Sequence, residues 1–85
     1  MPNLYIIYLP KQTNQGVKYY FESPNGTVGH GGRTSSMACA TRYNITDAKQ
    51  QVAFLGKHAN SRWAGEILDA VTGRPLILRH EGRIV

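Results

Sequence analysis

Six consecutive residues near the start, Leu4-Tyr5-Ile6-Ile7-Tyr8-Leu9, are aromatic or branched apolar with no charge among them. Successive side chains of a strand point to opposite faces, so such a run is apolar on both and belongs in the middle of a sheet. Pro10 is expected to end it. A chain of 85 residues has room for one domain. A domain of that size buries only roughly 60–65% of the surface its unfolded chain exposes, which argues against a deep substrate cavity.

The segments that follow supply neighbours for that strand. Lys11 to Gly16 is polar and ends in glycine, as a loop does, and Val17-Lys18-Tyr19-Tyr20-Phe21-Glu22 alternates well enough to return as the second strand of a hairpin. Pro24-Asn25-Gly26 is turn chemistry, because Asn-Gly readily takes positive φ. Nothing in the sequence fixes the glycine-rich stretch Gly29 to Gly32. Met37, Cys39, Thr41, Tyr43 and Ile45 alternate as a third strand, a reading preferred to a short helix capped by Thr34-Ser35-Ser36. Glu66 to Val71, the Thr72-Gly73 turn and Pro75 to Arg79 form a second hairpin. After His80-Glu81-Gly82, Arg83-Ile84-Val85 adds a short edge strand.

One helix is expected, opening at Thr46-Asp47-Ala48 with Thr46 as N-cap and Asp47 near the positive end of the helix dipole. Ala48, Val52, Leu55 and Ala59 recur at helical spacing and give one narrow apolar stripe toward a sheet. Lys57 and His58 suit the C-terminal end, and the helix stops near Asn60. Gly56 is expected where helix and sheet touch closely. The fold class is α+β: a single layer of mostly antiparallel sheet, four or five strands, with one main helix packed on one face. Residues 1–85 form one domain.

Hydrophobic residues are 41% of the chain and charged residues 18%, the balance of a folded domain. The longest apolar run is far short of the ~20 residues a membrane-spanning helix needs, and no secretory pattern precedes it, so the chain reads as cytoplasmic with no membrane partner. Cys39 alone makes neither an intramolecular disulfide nor a structural zinc site, and between Ala38 and Ala40 it reads as buried. Ten Lys and Arg against five Asp and Glu leave a formal charge of +5, a field that draws polyanions or acidic protein surfaces.

Two tetrapeptides sharpen that field, His30-Gly31-Gly32-Arg33 and His80-Glu81-Gly82-Arg83. Glycine lets backbone approach a partner closely, and the arginine fork grips an anionic oxygen with two parallel bonds. On the helix, Phe54 lies about 130° from the centre of the apolar stripe, among Gln50, Gln51, Lys57 and His58. There it reads as an exposed interface anchor or base-stacking ring; the alternatives are packing beneath the glycine-rich loop or against a second copy of the chain in a homodimer. Arg62-Trp63 combines two residue types enriched at interface hot spots, although a lone tryptophan in a small domain also serves as a core corner. Tyr19 and Tyr20 point to opposite sheet faces, so one stands outward beside Lys18 and Arg79. The docking residues are therefore His30, Arg33, Phe54, Lys57, Arg62, Trp63, Arg74, Arg79 and Arg83.

Catalytic motifs are missing from this pattern. There is no His-Glu-x-x-His, no nucleophile elbow, and Gly29 to Gly32 lacks the lysine and following hydroxyl of a phosphate-binding loop. No cofactor or metal is expected. The catalytic alternative is a metal-independent ribonuclease using His30, His80 and an arginine, since general acid–base work needs two titratable groups near neutrality.

The Tyr5-Ile6-Ile7 strand, the Ile45-Thr46-Asp47-Ala48-Lys49 strand-to-helix junction and the glycine-turned hairpin around Gly73 together resemble small basic bacteriophage proteins that counter host defences, in particular anti-CRISPR proteins. The resemblance implies a stoichiometric inhibitor, at work in the host cytoplasm, that binds an RNA-guided surveillance complex and occludes the path of target DNA with its arginines. The expected function is thus a non-catalytic binding protein, with a protein or nucleoprotein complex as partner. Direct nucleic-acid binding is the alternative, and it predicts affinity that falls steeply with salt.

Overall fold

The apolar run at the start does become the middle of a sheet. A computed structural model describes residues 4–76 of the chain. In order they form β1 (Tyr5–Asn14), β2 (Val17–Glu22), β3 (Gly32–Thr34), α1 (Ile45–His58), a single 3₁₀ turn (Ser61–Trp63) and β4 (Glu66–Asp69). The four strands pair antiparallel in the order β3-β2-β1-β4, and with α1 on one face the class is α+β, as the sequence implies.

Register explains why both faces of β1 are apolar. Ile7 pairs with Ile67 and Leu9 with Tyr19, and Ile7, Leu9, Ile67 and Phe21 pack with Ala48, Leu55 and Tyr43 in the core beneath α1. Ile6 pairs with Leu68 and Tyr8 with Tyr20 on the opposite face, where Met37, Ala40 and Ala70 cover them. Ile6, Ile7 and Leu9 are all fully buried. One face is sealed by a helix, the other by a loop.

That second cover overturns the third strand expected from Met37 to Ile45. The Ala40 N–H donates to the Ser36 and Met37 carbonyls and the Cys39 N–H to the Ser36 carbonyl, so the backbone coils into a turn. Met37 and Ala40, three apart, then point at the sheet together, whereas Cys39 is exposed rather than buried. Only Tyr43 bonds as a strand residue would, exchanging two hydrogen bonds with Tyr5. A sheet face that lacks a helix needs apolar cover, and this demand outweighs local alternation.

Other boundaries shift for local reasons. Pro10 does not end β1; the pairing register slips between Leu9 and Asn14, and a proline is tolerated at such an irregularity. The expected loop from Lys11 is therefore mostly strand, closed by the two-residue turn Gln15-Gly16, whose φ angles of +52° and +81° match the mirror-image turn that suits strand twist. Asn44, not Thr46, caps α1, its side chain accepting the Asp47 N–H at 2.8 Å. Lys57 and His58 do lie in the last turn, and Ala59 closes the helix. The second hairpin begins as expected, with the Leu76 N–H bonded to the Ile67 carbonyl. The remainder of its outgoing strand, Arg79, the His80-Glu81-Gly82-Arg83 motif and the final edge strand lie outside the described residues. No helix among the described residues is long and apolar enough to cross a membrane.

Gly56 makes no close helix–sheet contact either: a Cβ built on it meets nothing within 4 Å. Glycine inside a helix is disfavoured by about 1 kcal/mol relative to alanine, so Gly56→Ala is expected to raise stability by about that amount in chemical denaturation. A second prediction concerns Tyr43, 2% exposed, whose hydroxyl donates to the Thr27 carbonyl at 3.1 Å. Burial, with the Asp47 carboxylate as a lesser cause, pushes its pKa up to about 12 from 10.0. The fold thus holds the protonated phenol more tightly than the unfolded chain does. That advantage is whole below pH 10 and falls away between about pH 10 and pH 12, by roughly 2–3 kcal/mol. Denaturation midpoints followed across this range in wild type and Tyr43→Phe should show the loss in the wild type alone.

Candidate docking cleft

Gln51 holds the glycine-rich stretch that the sequence leaves unfixed. It is fully buried, its Oε1 accepting the Gly29 N–H at 2.8 Å and its Nε2 donating to the Gly29 carbonyl at 3.0 Å. Tyr43 adds its hydroxyl to the same Oε1 at 3.3 Å. Gln51 stands only about 70° from the centre of the apolar stripe at ~100° per residue, on its flank rather than on the outer face. Together with Phe54 and His58 it makes a second row along α1, and the loop lies against that row.

Phe54 is consequently half-buried, not exposed. His30 meets its ring edge-on with centroids 4.9 Å apart, and His58 lies on it at 4.7 Å and 41°. Two imidazoles, one from the loop and one from the helix, flank a single phenyl ring. The alternative, packing beneath the glycine-rich loop, is the arrangement found in place of the exposed anchor. Beside this stack opens a cleft of about 370 Å³ lined by His30, Gly31, Leu55, His58, Asn60 and Trp63, with Ala59 at its floor. Trp63 is half-buried and sets its ring edge against Phe21, centroids 6.5 Å apart, so it serves as a core corner and a cleft wall at once. None of the lining residues is acidic.

Two cations adjoin this opening in the chain, Arg33 two residues from Gly31 and Arg62 beside Trp63, while Lys57 lies on the outer face of α1, about 170° from the centre of the apolar stripe at ~100° per residue. Arg33, Lys57 and Arg62 are all exposed. Arg33 is held in two ways: its Cζ lies 4.5 Å from the centre of the Tyr19 ring, and one of its terminal nitrogens donates to Gln12 Oε1. Gln12, itself buried, donates through Nε2 to the Arg62 carbonyl at 3.1 Å. One glutamine side chain thereby couples β3 to the 3₁₀ turn, whose Asn60 cap accepts the Arg62 N–H through Oδ1 at 2.9 Å. Tyr19 is the outward tyrosine of its pair, but its cation is Arg33; Lys18 sits over Tyr8 instead.

Of the residues expected to dock a partner, the fold brings His30, Arg33, Phe54, Arg62 and Trp63 together, while Lys57 lies on the outer face of α1. Arg74 does not join them, because it follows β4 at the opposite edge of the sheet from β3. Arg79 and Arg83 are outside the described residues. Sequence reasoning passed over Gln12, Gln51 and Asn60, since polar amides carry no pattern until a fold gives them partners. Gly31 also serves differently than expected, as its close approach is to the chain's own β2. Among the described residues no group of three or more His, Cys, Asp and Glu is placed to hold a metal ion.

Comparison of the chain with protein-family models, with curated proteins and with solved structures finds no match. The cleft must therefore be interpreted from its own chemistry.

Proposed function

We propose that the chain is a non-catalytic binding protein that docks its cleft face on a nucleic-acid-handling complex and so occupies the path of the nucleic acid, as a stoichiometric inhibitor does. The observation that carries this reading is the gathering of Arg33 and Arg62 beside a cleft walled by His30, His58 and Trp63, with Phe54 stacked against both imidazoles, from three separate parts of the sequence. Such a face is complementary in charge to the phosphates of the nucleic acid that the complex holds and to acidic protein surface beside its path, and flat rings at its centre are the residues that anchor interfaces. The resemblance to anti-CRISPR proteins points to an RNA-guided surveillance complex as one such target.

Arg33 carries the largest share of the binding. A guanidinium already stacked and hydrogen-bonded loses little freedom when it meets an anionic oxygen, so its contact costs less to form than that of an unrestrained side chain. Arg33→Ala is expected to weaken the complex by roughly 2 kcal/mol or more, on the order of thirtyfold. The test is affinity capture from lysate before and after nuclease digestion, followed by identification of the captured subunits. A nucleic-acid-handling complex retained after digestion, and lost with Arg33→Ala, is the expected result. Capture of nothing beyond nucleic-acid fragments would reject inhibition through a protein partner.

A further inference from the structure

The cleft itself has a more specific complementarity than its rim. Its walls are flat side chains, the imidazoles of His30 and His58 and the indole of Trp63. Asn60 lines the same cleft, its Oδ1 accepting the Arg62 N–H and its NH₂ serving as a donor. The cations beside it lie outside the ring-lined space, on Arg33 and Arg62. A planar heteroaromatic group bearing hydrogen-bond acceptors, joined to an anion, has this same division of chemistry. At about 370 Å³ the cleft falls at the low end of small-molecule sites, suited to one such unit.

We infer that the cleft takes one unpaired nucleotide of single-stranded nucleic acid, its base against the His30, His58 and Trp63 rings and its phosphates toward Arg33 and Arg62. Base stacking on protein rings is sequence-tolerant and needs an unstacked strand, since in a duplex the faces of the bases are covered by their neighbours. Asn60 supplies a donor to a base edge. The inference rests on the reading that this face docks on a nucleic-acid-handling complex, and it names the part of that complex that enters the cleft.

Trp63 is the chain's one tryptophan and lines this cleft, so indole fluorescence has its single source there. The purified chain is titrated with thymidine and uridine octamers, with a duplex of matched length, and with inorganic polyphosphate as an anion without bases. Single strands should quench Trp63 saturably, whereas duplex and polyphosphate, even where they bind, should not; the deoxy and ribo arms separate DNA from RNA. His30→Ala and Arg33→Ala should each reduce the affinity of the quenching strand roughly tenfold, within the range that one stacked base contributes. Lys49→Ala, an exposed cation on the helix away from the cleft, should leave it unchanged. Equal quenching by polyphosphate, or unaltered affinity in both variants, would overturn the inference. So would quenching by a nuclease-stripped protein partner but by no oligonucleotide, which would put a protein group in the cleft and leave the docking reading standing. Absence of quenching by either, together with failed capture, would remove both.

Discussion

Replacing Gln51 by leucine is expected to lower stability by about 2–3 kcal/mol and to release the glycine-rich loop from the helix. The side chain is 0% exposed and satisfies three groups: the Gly29 N–H, the Gly29 carbonyl and the Tyr43 hydroxyl. Leucine fills a similar volume but leaves the backbone N–H and carbonyl of one residue, Gly29, without their partner, and a buried unsatisfied group costs about 1–3 kcal/mol. The Tyr43 hydroxyl is spared the full penalty because it also donates to Thr27. The stability loss is read from urea denaturation. The loop is read from amide hydrogen exchange at Gly29, which should lose its protection, and partner affinity should drop with it because His30 follows directly in the chain. Gln51→Glu separates polarity from shape, since a carboxylate keeps the acceptor for Gly29 N–H while losing the donor to its carbonyl.

The second large effect lies two residues on. A Cβ on Gly31 would stand 2.5 Å from the Glu22 carbonyl oxygen and 2.8 Å from Cζ of Phe21. Glu22 is backbone of β2 paired with Gly32 of β3, and the Phe21 ring is sealed in the core, so neither yields without separating the strands or disturbing the sheet. Overpacking of this kind costs about 1–3 kcal/mol, and Gly31→Ala is expected near the upper end. Gly32→Ala is the matched control, for a Cβ there meets nothing within 4 Å. Thermal denaturation should show a large fall for the first and almost none for the second. Because β3 carries Arg33, Gly31→Ala should also weaken partner binding beyond what lost stability explains.

How much of this could be read beforehand differs by element. The Leu4–Leu9 run disclosed its central place because apolar side chains on both faces admit no other position, and the stripe through Ala48, Val52, Leu55 and Ala59 disclosed its inward face by period alone. The segment from Met37 to Ile45 misled because its apolar residues fall at every second position, whereas the turn it forms puts Met37 and Ala40, three apart, inward and Cys39 outward. Which face lacked a helix could not be known without the topology. At the site, His30, Arg33, Phe54, Arg62 and Trp63 were visible as residue types suited to binding. Their convergence was not, since it depends on Gln51 and Gln12, whose amides acquire meaning only from groups 22, 21 and 50 positions away. Phe54 seemed exposed because a helix buried on one stripe was assumed; the glycine-rich loop buries a second.

The central claim is that one face, the cleft with Arg33 and Arg62 beside it, does the binding. Charge reversal tests it most directly, with partner capture measured for Arg33→Glu and Arg62→Glu against Arg42→Glu and Lys49→Glu, which change net charge equally at exposed positions outside the cleft. The account predicts that the first pair abolishes capture and the second leaves it near the wild-type level. Equal loss in all four, as a diffuse positive field would give, or loss confined to the second pair, would contradict it.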